Sequence, residues 1–114
     1  MISSVNSSLS ALHAAEKLLE VSASNVANAN TDEYKSKKAS VSEDKHGGVK
    51  VSISRSAQPC IEYDRGDGVI VESSNVDYAN EAVNQMSAKA MYSANLTSLK
   101  SYEENHSTLI DIMV

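Results

Sequence analysis

Ile2, Val5, Leu9, Leu12, Leu19 and Val26 stand three and four residues apart, with Glu16 and Ala23 filling the two interruptions of the pattern. That alternation belongs to an α-helix that shows one narrow apolar stripe to a neighbouring helix. The stripe meets no glycine or proline, so the spacing predicts one amphipathic helix over residues 2–28. Ala11, Ala14, Ala15 and Ala27 lie beside it and would let a second helix approach closely. The run Asn25-Val26-Ala27-Asn28-Ala29-Asn30-Thr31 is the expected end, because asparagine tolerates the left-handed conformation that closes helices.

A second stripe occupies the other end of the chain. Val83, Met86 and Ala90 begin it, and Tyr92, Leu96, Leu99, His106, Ile110 and Met113 continue it with some drift. A helix over 77–112 is predicted, with Asp77 as its N-cap. At 1.5 Å per residue the two helices would be roughly 40 and 55 Å long. Unbroken periodic helices of that length point to a coiled coil or a packed array.

Between them the character changes, and all four glycines fall here. Val49, Val51 and Ile53 alternate with Lys50, Ser52 and Ser54, which reads as a strand. Ala39–Ser42 is its candidate partner across the Lys45-His46-Gly47-Gly48 turn. Residues 60–63 and 69–72 flank Asp64-Arg65-Gly66-Asp67-Gly68, which reads as a second hairpin loop. The predicted fold is therefore mainly α with a small β insert. Residues 1–30 and 73–114 form a discontinuous helical assembly domain that pairs in a coiled-coil-like manner, and residues 31–72 form the β-rich insert.

Composition bears on what such a chain can do by itself. Phe and Trp are absent, there is one Pro, and Ser, Ala and Asn make up over a third of the 114 residues. Aromatic side chains supply much of the buried area of a small core, so the apolar stripes have more to gain from neighbours than from one another. The net charge of −5 gathers no basic face, which argues against binding through nucleic-acid phosphates. No apolar run approaches a membrane span or the core of a cleaved leader. A cytosolic protein, or one exported without a cleaved signal, fits this pattern.

The chemistry-bearing residues are sparse. His13, His46 and His106 have no metal-ligand spacing, so neither a metal nor a cofactor is expected. Cys60 would be a nucleophile only with a histidine and an acid gathered around it; an inert, half-buried thiol is the expectation. Asp64, Asp67 and Glu72 lack the spacing of a calcium loop, and a polar hairpin tip accounts for Arg65-Gly66-Asp67. The informative feature is the pair of terminal helices. Each must cover an apolar stripe, and contacts without two-fold symmetry would propagate as an open array. On periodicity alone, a monomeric or dimeric α-hairpin, such as a cytosolic adaptor, ranks slightly ahead of the array.

One segment goes further. Ser22-Ala23-Ser24-Asn25-Val26-Ala27-Asn28-Ala29-Asn30-Thr31, followed by Tyr34-Lys35, resembles the N-terminal signature of flagellar basal-body rod and hook proteins. Ser74-Asn75-Val76-Asp77, Glu81 to Met86 and Tyr92-Ser93-Ala94-Asn95-Leu96 resemble the C-terminal segment of that family. The similarity covers about the first 35 and last 40 residues, and is greatest to the proximal-rod branch. Where the family usually has a Pro-Gly pair between the threonine and the tyrosine, this chain has Asp32-Glu33.

The resemblance implies a non-enzymatic axial protein of the bacterial flagellum, located in the periplasm-spanning rod. Its partners would be copies of itself, other rod and hook proteins, and the flagellar type III export apparatus, with no nucleic acid and no membrane insertion. Ile2, Val5, Leu9, Leu12, Leu19 and Val26, with Val83, Met86, Leu96, Leu99 and Ile110, would be the assembly seams. Asn25, Asn28 and Asn30 would fix the chain as it leaves the first helix, next to Thr31, and Tyr34 would anchor the first residues after that turn. Asn75, Tyr92 and Asn95 are the matching positions of the C-terminal segment.

Overall fold

A computed structural model describes residues 2–113, without the side chain of Ile2. The order of elements is α1 (Ile2–Ala27), β1 (Lys37–Glu43), β2 (Val49–Arg55), β3 (Glu62–Asp64), β4 (Ile70–Glu72) and α2 (Tyr78–Met113). Both helices thus fall within a residue of the predicted spans, and both hairpins form. The molecule is a rod-like body, 79 × 25 × 15 Å.

α1 ends as its asparagines require. The Asn28 amide N–H donates to the carbonyls of Ser24 and Asn25. The Asn28 side chain turns back to donate to the same Ser24 carbonyl at 2.8 Å, so that one acceptor is held twice at the helix end. At the far side of the insert, Asp77 Oδ1 accepts from the amides of Ala79 and Asn80, capping α2 as its sequence predicts.

The two helices pack on each other as an antiparallel pair, with the end of α1 over the start of α2. Ser22 Oγ donates to the Glu81 carbonyl. Along α2 the buried or half-buried positions are Glu81, Gln85, Ala88, Met91, Tyr92, Asn95, Leu99 and Tyr102, and all but Met91 follow an alternation of four and three. On α1 the buried set includes Leu12, Ala15, Ser22 and Asn25. Small residues, Ala15 at 0% and Ala88 at 1% exposure, are the most deeply buried points of the seam, between larger ones such as Leu12, Tyr92 and Leu99.

The face of α2 turned to α1 is therefore not the one marked by Val83, Met86 and Ala90. Val83 and Met86 are exposed, as are Leu9, Val26, Leu96 and Ile110, whereas Val5, Leu19 and Leu99 are half-buried and Leu12 is buried. Ile2, the first seam residue, lies outside the described side chains. The apolar spacing follows the most hydrophobic residues, whereas the packed face also takes in Glu81, Gln85, Ala88 and Asn95. Past Tyr102 the pair runs out of α1, and every side chain from Glu103 to Met113 is exposed.

β1 and β2 pair antiparallel in full register, Lys37 opposite Arg55 and Glu43 opposite Val49. The hairpin lies along α1 and is tied to it where the Val49 amide donates to Ser10 Oγ. Gly48 sits at φ +91°, and a Cβ there would meet Ser10 Oγ at 2.4 Å. Only glycine allows both that backbone and that approach. β3 and β4 form the second, shorter hairpin. It is bound back to the turn after α1 by the Glu33 amide, which donates to the Glu72 carbonyl at 2.8 Å.

Candidate functional site

Two residues of the N-terminal motif, Asn25 and Tyr34, meet at one point. Asn25 is 0% exposed. Its Nδ2 donates to the Lys37 carbonyl at 2.7 Å and to Glu81 Oε1 at 2.8 Å. Its Oδ1 accepts from the Tyr34 hydroxyl at 3.1 Å and from the Lys37 amide at 2.8 Å. A carboxamide has two donor hydrogens and two acceptor lone pairs, and all four are used. One side chain therefore joins the end of α1, the turn after it, the first residue of β1 and the first turn of α2.

The surrounding residues complete the junction. Tyr34 Oη also lies 3.4 Å from Ser24 Oγ. Thr31 Oγ1 donates to Asn28 Oδ1, closing the turn from within. Asn75 Oδ1 accepts from the Ser36 amide at 2.7 Å, and its Nδ2 donates to the Gln58 carbonyl at 3.0 Å. Asn95 donates to the Met91 carbonyl within α2, and Tyr92 is half-buried in the seam. Asn30 is exposed, and no hydrogen bond of its side chain occurs among the described residues.

Glu81 is the member that the sequence did not mark for this role. It is a carboxylate at a seam position, buried to 7% exposure, and its Oε2 has no partner among the described residues. A buried acceptor without a donor is destabilising, so the Asn25 amide is what holds Glu81 in place. The signal that could have found it was the gapless spacing of Glu81, Gln85, Ala88, Tyr92, Asn95, Leu99 and Tyr102. Most of those seven are polar or alanine, and hydrophobic periodicity does not see them.

Two exposed clusters flank the junction. Asp32 accepts from the Tyr63 hydroxyl and from Arg65, both at 2.8 Å. The Tyr63 hydroxyl, and then the Arg65 guanidinium, hold its carboxyl below the ordinary range. Lys35 Nζ donates to Cys60 Sγ at 3.0 Å and to Glu72, and these bonds, that to Cys60 first, raise the ammonium's pKa. Glu33 is the one described non-glycine residue at positive φ, +60°. It stands where the usual motif has glycine.

The histidines are scattered: His13 lies 3.4 Å from Glu16 on α1, and His106 stacks on Tyr102 with ring centroids 5.8 Å apart. Among the described residues, no group of three His, Cys, Asp or Glu could hold a metal ion. None of the described helices is long and apolar enough to cross a membrane.

A helical hairpin whose two ends are locked by a polar junction, and whose large apolar side chains face outward, is the architecture of a structural subunit. Residues 6–35 match the family described as flagella basal body rod protein, and residues 69–112 match flagellar basal body rod FlgEFG protein C-terminal. The chain belongs to the flagellar basal body rod proteins. The search of curated proteins returned no match. The two matched stretches contain Asn25 and Glu81, so the junction is where the two halves of the family pattern touch.

Proposed function

We propose that this chain is a self-assembling, non-enzymatic subunit of the basal-body rod, of the proximal-rod protein C type, delivered by the flagellar type III system. One observation carries the reading: the family-matched segments, 6–35 and 69–112, are the two helices that pair, and together they leave Leu9, Val26, Val83, Met86, Leu96 and Ile110 exposed. A lone soluble hairpin has no use for so many large apolar side chains on its outer faces; a subunit surrounded by copies buries them.

Thin private packing also suits export in an unfolded state. The ordering entropy is then offset when neighbours cover the helices. The Asn25 junction would preset the angle at which the insert leaves the helical pair, and Asn28, Thr31, Tyr34 and Asn75 would support it.

The test is to delete residues 1–20 and look for the product in purified basal bodies of the producing strain. The reading expects the full chain in the rod and the deletion product absent. Full incorporation of the deletion product would overturn assembly through α1. A motile null strain with intact basal bodies would favour a cytosolic adaptor instead.

A further inference from the structure

The seam face of α2 does not stop where α1 stops. Beyond Tyr102 the same spacing continues through His106, Leu109 and Met113, with Ile110 beside them. These side chains are exposed, Leu109 to 53%, Ile110 to 49% and Met113 to 86%. Glu104 and Asp111, seven residues apart, line one side of this strip. Residues 103–113 contain three acids and no Lys or Arg, so the overhang is an acidic amphipathic helix of three turns.

Near the opposite helix, α1 and the first hairpin leave a groove of about 420 Å³, lined by Ser10, His13, Ala14, Lys17, Val49, Val51 and Ile53. Its hairpin wall is apolar and incompletely covered, for Ile53 is 53% exposed. The hairpin itself is basic: from Lys37 to Arg55 five cations stand against Glu43 and Asp44, a net charge of +3. On the α1 side, Lys17 adds a cation that pairs with Glu20, and His13 pairs with Glu16.

We infer that the acidic α2 overhang of one copy docks in this groove of a second copy, its Leu109–Ile110–Met113 strip against Val49, Val51 and Ile53. Arg55 shares the strand face of Val49, Val51 and Ile53, while Lys38 and Lys50 stand on the other face. The net positive charge of the hairpin as a whole opposes the acids of the overhang, which favours this pairing over overhang against overhang. The overhang does not reach its own groove. α2 is one continuous helix, and it carries residues 103–113 past the start of α1, away from Ser10–Lys17. Each copy has one overhang and one groove, so the contact is heterologous and propagates. This partner assignment rests on the assembly reading above and specifies which surfaces meet.

Cross-linking tests it in the full-length chain. In a Cys60→Ser background, the double variant Ile53→Cys, Ile110→Cys should give a ladder of disulfide-linked multimers on oxidation. Each single variant should remain monomeric. Ile110→Cys dimers, or no ladder at any concentration, would overturn the inference. Because Asp111 is exposed and makes no internal ion pair among the described residues, Asp111→Lys keeps the fold and should weaken self-association about tenfold, an effect smaller at high salt. Unchanged association would count against the charge match.

The same double variant in purified basal bodies separates this contact from the rod assignment. Chain present in the rod without the cross-link removes the contact and leaves the rod assignment standing. Chain missing from the rod, in a strain whose wild-type copy is missing too, removes the rod assignment itself.

Discussion

The amide of Asn25 and the carboxylate of Glu81 meet at 2.8 Å inside the helical pair, joining the last turn of α1 to the first turn of α2. Neither side chain reaches solvent appreciably, and the contact links residues 56 apart in the chain.

Replacing Asn25 by alanine removes four hydrogen bonds and strands Glu81 Oε1. A loss of about 3 kcal/mol is expected, read as a lower urea midpoint. Asn25→Asp keeps the shape but sets a second carboxylate beside Glu81. The variant should be less stable than wild type at neutral pH, because two carboxylates then share one buried point. Equal stability of Asn25→Asp and wild type at neutral pH would contradict the geometry.

Ala88 and Val83 should respond in opposite ways. Ala88→Leu forces a larger side chain into the close seam and should destabilise the chain by about 1–3 kcal/mol. Val83→Ser, on the exposed face, should change the stability of the isolated chain by no more than about 0.5 kcal/mol. In the rod the order reverses under the assembly reading, and Val83→Ser should lower incorporation into basal bodies.

Glu33 holds a left-handed backbone without a glycine's freedom. For an L-residue that conformation is unfavourable by about 1–2 kcal/mol. Glu33→Gly relieves this but loosens the unfolded chain by a comparable, smaller amount. The net expectation is a slight gain, about 0.5 kcal/mol, measured by thermal unfolding. A marked loss would show that the Glu33 side chain does more than occupy the turn.

Asp32 sets an acid limit on the second hairpin. Its folded pKa is lowered from 3.8 by the bonds from Tyr63 and Arg65. A lowered carboxyl contributes stability above its unfolded pKa and loses it as the pH falls through the folded value. The Tyr63 ring resonances should therefore hold steady at about pH 5 and shift only below about pH 4. Asp32→Asn should abolish that transition.

The extents of the helices and both hairpins could be read from the chain because spacing, capping asparagines and turn glycines are local signals. The pairing face of α2 could not. Val83 and Met86 are exposed, while the face packed on α1 carries Glu81, Gln85, Ala88 and Asn95, residues that hydrophobic spacing does not mark. Likewise Asn25 and Glu81 each fall in a segment that resembles the family, but nothing in either segment pairs the two. The burial of Glu81 depends on two chain ends meeting, which no window of sequence contains.

The Asn25–Glu81 contact also works as the zero mark of a ruler. A seam whose most deeply buried points are small residues has weak preferences for register, since Ala15, Ala88 and Ser22 fit many offsets nearly as well. Sliding α2 by one heptad would move its free tip by about 10 Å and would break the one polar contact that tolerates no offset. The location of Met113, at the far end of a 36-residue helix, is thus metered by a bond at the other end. In a stack of copies, that zero mark decides how far each tip projects.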